Sequence, residues 1–210
     1  MCDAVCNPMK APLESPDDIR QHIWRELSRA SHDRHHAWRT PVLATAMDDG
    51  GVNARTVVLR GVDAALGTLV FYTDARSGKV VELAHRLSAM LVFWCGRLHW
   101  QLRVRVQVTV HTRGPEVEAL WHRVRQSASA GDYLSPVAPG TPRVEAMGSP
   151  TQADAADTAQ ASVCLPEPLG EVTHFTVLTA QVTEMDWLEL GRAGHRRARV
   201  QPGAWTWLTP

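Results

Sequence analysis

In 210 residues, 22 Lys and Arg are balanced by 22 Asp and Glu, so the chain carries no net formal charge. That balance excludes a general affinity for nucleic acid or anionic membrane, and it requires any anion site to be local. The length suits one domain, 1–210, able to bury roughly 70% of its unfolded surface without disulfide or metal staples.

Ser15-Pro16-Asp17-Asp18 ahead of Ile19, Ile23 and Leu27 predicts a capped helix ending near Ser31. Val42 to Met47, a turn at Asp48-Asp49-Gly50-Gly51, and Val52 to Gly61 then read as a hairpin. Leu69 to Thr73 is a third strand. Ser77 to Leu87 is expected as a short helix capped by Ser77, with Val80, Val81, Ala84 and Leu87 inward. Ala89 to Cys95 and Leu98 to Val110 form a second hairpin, the latter strand setting Leu102, Val104, Val106, Val108 and Val110 against Arg103, Arg105 and Gln107. Pro115 to about Arg125 reads as a helix. From Ser135 to Ala161 the pattern gives way to Pro, Gly, Ala, Ser and Thr, an irregular insert rather than a second domain. Val172 to Trp187, Arg196 to Val200 and Trp205 to Leu208 complete a series of strands that indicates a closed or partly closed antiparallel barrel.

Other features bound the location and the metal chemistry. The longest uncharged apolar stretch, around Met90 to Cys95, is far short of the roughly 20 residues that span a bilayer. Met1 to Pro12 has no apolar core after a basic segment, so no secretory signal is read and a cytoplasmic location is expected. Cys2, Cys6, Cys95 and Cys164 are too few and scattered for a disulfide framework; Cys95 reads as inert core. His32, His35 and His36 read as a solvated turn after the first helix, so no metal site is expected.

Several separated motifs carry chemistry: Arg55-Thr56-Val57-Val58-Leu59-Arg60, Tyr72-Thr73-Asp74, Ser77-Gly78-Lys79, Trp100-Gln101-Leu102-Arg103, and Trp187 with His195-Arg196-Arg197. Singly, each is also consistent with solvated charges, an outward polar residue on a strand, or a core tryptophan. In their order and spacing, from about Pro41 to Pro210 apart from the insert, they resemble the FMN-binding split barrels of the pyridoxamine 5'-phosphate oxidase family. The resemblance implies an α+β, mainly β fold, an antiparallel split barrel of FMN-binding type. It also implies FMN as cofactor and a homodimer with FMN at its interface.

Residue by residue, it implies that Arg55 and Lys79 are the leading ligands of the FMN phosphate, with Thr73 and Ser77 in the wider cofactor-binding set. The backbone of Thr56, Val57, Val58 and Leu59 would run along the flavin, Arg60 standing where the family has Lys. Tyr72, Gln101, Trp187 and Arg197 complete the expected cofactor set. Gly78 departs from the family's Arg and removes one phosphate ligand; Trp100 departs from another Arg. On the substrate side Arg125 and Ser129 match a phosphate-binding pattern whose Tyr is here Trp121. His195 aligns with a substrate histidine, but the Arg two residues before it is Ala193. The implied activity is an FMN-dependent oxidation of a primary amine to an aldehyde with dioxygen as acceptor, on a small-molecule substrate, by a divergent branch of the family. The alternatives are an FMN-dependent reductase or oxidase on another flat substrate, and a non-catalytic flavin- or haem-binding module.

Overall fold

The computed structural model describes residues 15–142, 173–192 and 194–210. Helix α1 (Pro16–His32) begins where expected because Ser15 Oγ accepts from the Asp18 backbone amide at 3.1 Å and proline occupies the first turn. Ile19, Ile23, Leu27 and Ala30 recur at helical spacing and are fully buried. The helix also buries a carboxylate. Glu26 accepts from Arg29 (3.0 Å) and Arg97 (2.9 Å) and pairs with His36 at 3.0 Å. His36, expected in a solvated turn, therefore has only a 6% exposed side chain. A buried carboxylate needs such partners, and the turn after α1 supplies one.

Nine strands form one antiparallel sheet among the described residues. They are β1 (Val42–Ala46), β2 (Val52–Thr56), β3 (Leu59–Asp63), β4 (Thr68–Asp74), β5 (Ser88–Cys95), β6 (Trp100–His111), β7 (Phe175–Glu189), β8 (Arg196–Gln201) and β9 (Ala204–Leu208). The main path runs β2-β1-β5-β6-β7-β4-β3, with β8 and β9 added beyond β7. Its two end strands, β2 and β3, are separated in the chain by Val57 and Val58 alone. Three Cα steps span at most about 11 Å, so the path must curl until its ends nearly meet. No ladder joins β2 to β3, and the barrel stays split. The single strand expected over Val52 to Gly61 is thus two strands serving opposite ends of the path, because the chain must leave β1 and reach β4.

Cross-strand partners share a face. Leu43, Leu91, Val104, Met185 and Val200 form one buried row; Phe93, Leu102, Trp187 and Ala198 form the next. The opposite face carries Trp94, Gln101, Leu188, Arg197 and Leu208 in register. Cys95 is buried, as expected of a core thiol; Cys2, Cys6 and Cys164 lie outside the described residues.

Helix α2 (Gly78–His85) follows β4 and buries Leu83 rather than the expected Val80, Val81, Ala84 and Leu87; Val81 and Leu87 are more than half exposed. One turn rotates the stripe, since α2 is anchored at its start by β4. Helix α3 (Pro115–Val124) and a short α4 (Gly131–Leu134) pack Val117, Trp121 and Tyr133 on Phe175 and Val177. Of the insert expected at 135–161, residues 143–161 lie outside the described part.

Candidate functional site

The hairpin β1–β2, the end of β4 and helix α2 converge on a cationic centre. Alternation puts Asn53 and Arg55 on one face of β2, opposite Thr45 and Leu43 of β1. Arg55 donates Nη2 to Glu82 Oε2 at 2.8 Å and Nη1 to Thr45 Oγ1. Glu82 also accepts from Asn53 Nδ2 at 2.8 Å and from Thr45. Burial alone would raise the Glu82 carboxyl, but hydrogen bonds from Thr45, Asn53 and Arg55 outweigh it and hold the group below the usual carboxylate range. The guanidinium is therefore held from two elements at once.

Lys79, one residue into α2, reaches back to β4 and donates to Thr73 Oγ1 at 3.0 Å; Thr73 in turn meets Ser77 Oγ at 3.2 Å. Ser77 occupies the N-cap position, but its hydroxyl serves this network instead of the expected backbone amide. Among the described residues no carboxylate lies within ion-pair distance of the Lys79 ammonium. Burial, then Arg55, push its pKa down, opposed more weakly by Asp74 and Glu82. A half-buried ammonium disfavoured by its surroundings is stabilised by an added anion. Arg76 is spent on Asp74 (2.7 Å) and on the Ser135 and Pro136 carbonyls. The structure thus brings Arg55 and Lys79, the two residues expected at a phosphate, together with Thr73 and Ser77 of the expected cofactor-binding set.

A second polar centre lies on the outer face of β6–β8. Asp186 sits between Arg103 and Arg197, accepting from Arg197 Nε at 3.0 Å and Nη2 at 2.8 Å. Burial raises its pKa, but hydrogen bonds from Arg197 and Arg103 prevail and lower it. Gln101 is one row away, between Trp94 and Leu188. Trp187, expected beside these residues, points the other way. It is fully buried, edge-on to Trp100 at 5.2 Å, with Arg196 stacked over its ring at 5.4 Å. Sharing the Leu102 face of β7 commits it to the core, because strand neighbours alternate.

Arg60 stands at a register shift between Leu59 and Gly61 that leaves Leu59 in the core. Its guanidinium lies 5.7 Å from the Tyr72 ring centroid and within hydrogen-bonding reach of the Tyr133 phenol. Burial raises both phenols, against the field of Arg60 and, at Tyr72, of Arg123. Thr56 is exposed at the end of β2, and Val57 and Val58 form the crossing between strands. Arg125 and His195 are exposed, and Ser129 is half-buried beyond α3. None of the three makes a described side-chain contact with Arg60 or with the α2 centre. Trp121, in the place of the family's tyrosine, is buried among Tyr133 and Phe175. Ala193 lies outside the described residues.

Sequence reading missed Thr45, Asn53 and Glu82 around Arg55, Tyr133 beside Arg60, and Asp186 between its arginines. The period of two on β2 and the Lys79–Glu82 spacing of one helical turn were usable signals for the first set. Nothing local signals Tyr133. A cavity of about 390 Å3 between α1, the β3–β4 turn and the β8–β9 turn shares no residue with either centre.

Residues 21–112 match the family model described as "Pyridoxamine 5'-phosphate oxidase, FMN-binding domain". A pyridoxine/pyridoxamine 5'-phosphate oxidase of Rubrobacter xylanophilus is 40% identical over 91 residues, 42% of this chain and 40% of the relative. The chain thus spans about two fifths of the length of the curated relatives it matches. A pyridoxamine 5'-phosphate oxidase-related, FMN binding protein from Nostoc punctiforme superposes with a TM-score of 0.62 at 23% identity, covering 96% of this chain and 98% of that one. PhzG from Burkholderia lata superposes at 0.60 and 19% identity, covering 99% of this chain and 98% of that one. These structures share the fold, while sequence similarity concentrates in the segment that builds α1, the hairpins and the α2 centre. The match at 21–112 covers less than half of the chain, and with a fold shared along nearly all of its length it makes the chain similar to the pyridoxamine 5'-phosphate oxidase-like FMN-binding split barrels.

Proposed function

We propose that this protein is an FMN-binding oxidoreductase, cytoplasmic and homodimeric. The observation that carries the flavin reading is the α2 centre, where Lys79 is half-buried beside Arg55 and has a hydroxyl, not a carboxylate, as its partner. That donor set fits a phosphate: one guanidinium held in place, one ammonium, and the hydroxyls of Thr73 and Ser77. Arg55 and Lys79 would bind it, with Glu82 orienting Arg55. Gln101 has an amide that both donates and accepts, suited to the polar edge of a flavin ring, and Arg197, fixed by Asp186, offers positive charge on the same face. When bound, the flavin supplies two-electron acceptance.

The finer reading is oxidation of a primary amine: the amine, dioxygen and water give an aldehyde, ammonia and hydrogen peroxide. In it Arg60, flanked by the Tyr72 and Tyr133 phenols, holds an anionic group of the substrate, and Arg125, Ser129 and His195 are the further substrate-side residues that the resemblance implies. A second reading, a reductase or oxidase acting on another flat substrate, is favoured by the burial of Trp121 where the family has a substrate-side tyrosine. Absorbance of the purified protein, mass identification of what heat releases, and peroxide formation from pyridoxamine phosphate test these in turn. A flavin spectrum with released flavin phosphate is expected. A colourless protein that takes up no added flavin overturns the cofactor reading; bound flavin with peroxide at background overturns the amine oxidation alone. A monomer by light scattering of the loaded protein overturns the dimer.

A further inference from the structure

We propose that Arg39 and Tyr133 bind the same anionic group as Arg60, Arg39 as its second guanidinium, so that the substrate end held there is doubly charged, as a phosphate monoester is. This rests on the reading of Arg60 given above and deepens it; neither residue belongs to the set that the resemblance implies.

The path of the chain brings Arg39 to Arg60. The Pro41 carbonyl accepts from the Val57 amide at 3.0 Å, which extends the Val42–Thr56 end of the β1–β2 ladder one step toward Arg39. The short 3-10 turn Ala37–Arg39 therefore runs beside the crossing that leads to Arg60, where α1 packs on β3. Arg39 Nη1 is anchored on the last turn of α1, donating to the Ala30 carbonyl at 3.2 Å and to that of Ser31. Its Nε and Nη2 have no hydrogen-bond partner among the described residues, and there no carboxylate lies within ion-pair distance of Arg39 or Arg60. Both side chains are half-buried, and burial, then the like charge of Arg60, push the Arg39 pKa down. An anion placed between two such cations relieves both.

Tyr133 adds a neutral donor. Its ring is buried edge-on to Phe175 at 5.1 Å, the Tyr72 ring meets the same Phe175 at 5.0 Å, and the Tyr133 carbonyl accepts from the His174 amide at 2.9 Å, which ties α4 to the start of β7. Burial keeps both phenols protonated. A phenol that accepts from the Arg60 guanidinium still has its own O–H to donate, so Tyr133 can serve Arg60 and the anion together. At the edge of this cluster Arg123, toward Tyr72, and Asp132, toward Tyr133, are both exposed and opposite in charge, and they offset each other. The two inner guanidiniums are left to match a phosphate monoester, which carries about 1.5 to 2 negative charges at neutral pH, better than a carboxylate. No residue of this cluster belongs to the α2 centre, so the cofactor phosphate and the substrate anion do not compete.

The test is calorimetric titration of the FMN-loaded full chain with inorganic phosphate, and with acetate as the singly charged comparison, for the natural protein, Arg39→Gln and Tyr133→Phe. Glutamine keeps a donor for the Ala30 and Ser31 carbonyls but removes the charge; phenylalanine removes only the hydroxyl, and circular dichroism with thermal melting checks that both variants fold. The natural protein should bind phosphate more tightly than acetate. Arg39→Gln should weaken phosphate by about 10- to 100-fold and Tyr133→Phe by about tenfold, the worth of hydrogen bonds to a charged group, with FMN affinity unchanged in both. Unchanged phosphate affinity in either variant overturns the proposal, and if Arg39→Gln does not fold, Tyr133→Phe decides alone. A lower melting temperature without a change in phosphate affinity makes Arg39 a cap for α1 only. Loss of FMN affinity instead would give the cluster to the cofactor, and no preference for phosphate over acetate in the natural protein overturns the double charge. Peroxide formation is not read, so failure of amine oxidation leaves this result standing. If the chain takes up no flavin, that reading falls separately, and the same titration in a Lys79→Met background isolates the Arg60 cluster.

Discussion

The α2 centre and the β6–β8 centre are assembled from the same parts, a carboxylate among cations, but they spend their charge differently. Asp186 contacts both of its arginines, so each guanidinium has a carboxylate partner within the fold, although one negative charge is shared between two positive ones. Of the cations among the described residues, Glu82 pairs with Arg55 alone, and Lys79 is left on a threonine hydroxyl. The first arrangement stiffens a sheet face. The second keeps a cation with no carboxylate within ion-pair distance among the described residues, which suits an anion-binding site better than a purely structural ion pair.

The contrast can be broken by substitution. The largest effect is expected from Trp187→Ala, because that ring is buried against Trp100 on the core face. Removing it should cost about 3–5 kcal/mol of unfolding free energy in urea titration. A loss below about 1 kcal/mol, with flavin binding abolished, would return Trp187 to the site. Lys79→Met should lower flavin affinity by about 10- to 100-fold, the worth of a hydrogen bond to a charged group, while the flavin-free protein keeps or gains stability. A large stability loss without an affinity change would show that Lys79 is structural.

Asp186→Asn should behave in the opposite sense, losing about 1–2 kcal/mol of stability because Arg103 and Arg197 keep only a neutral acceptor. An unchanged urea midpoint would mean that the two arginines do not depend on it. The smallest effect is in pH. The Asp186 and Glu82 carboxyls have folded pKa values below their ordinary ones, so their contribution is present above the unfolded carboxylate range and is lost as pH falls through the folded values. The urea midpoint should therefore decline from about pH 4 downward, and less steeply in Asp186→Asn. Lys79 has the reverse dependence. Its charged form is disfavoured in the fold, so the flavin-free protein should gain stability as pH rises toward about 10, a gain that Lys79→Met abolishes.

Much of this was legible in the chain. Ser15-Pro16, the alternation from Leu102 to Val108, and the Ser77-Gly78-Lys79 start of α2 each express a local rule of capping or period, and each stands in the fold where its rule places it. Local rules did not foresee the break at Val57-Val58, the rotated stripe of α2, or the burial of His36, because these answer to strand order and to a carboxylate ten residues away.

The sequence by itself determined which side chains were available: Arg55, Lys79, Gln101 and Arg197 as polar groups at strand and helix positions, and Gly78 where an arginine was expected. Only the tertiary structure decided how their charge is used, giving Arg55 to Glu82, Arg197 to Asp186, and leaving Lys79 without a carboxylate partner among the described residues. Pairing across 27 residues or from strand to strand depends on how the sheet curls, and electrostatic fate follows distance in space rather than distance along the chain.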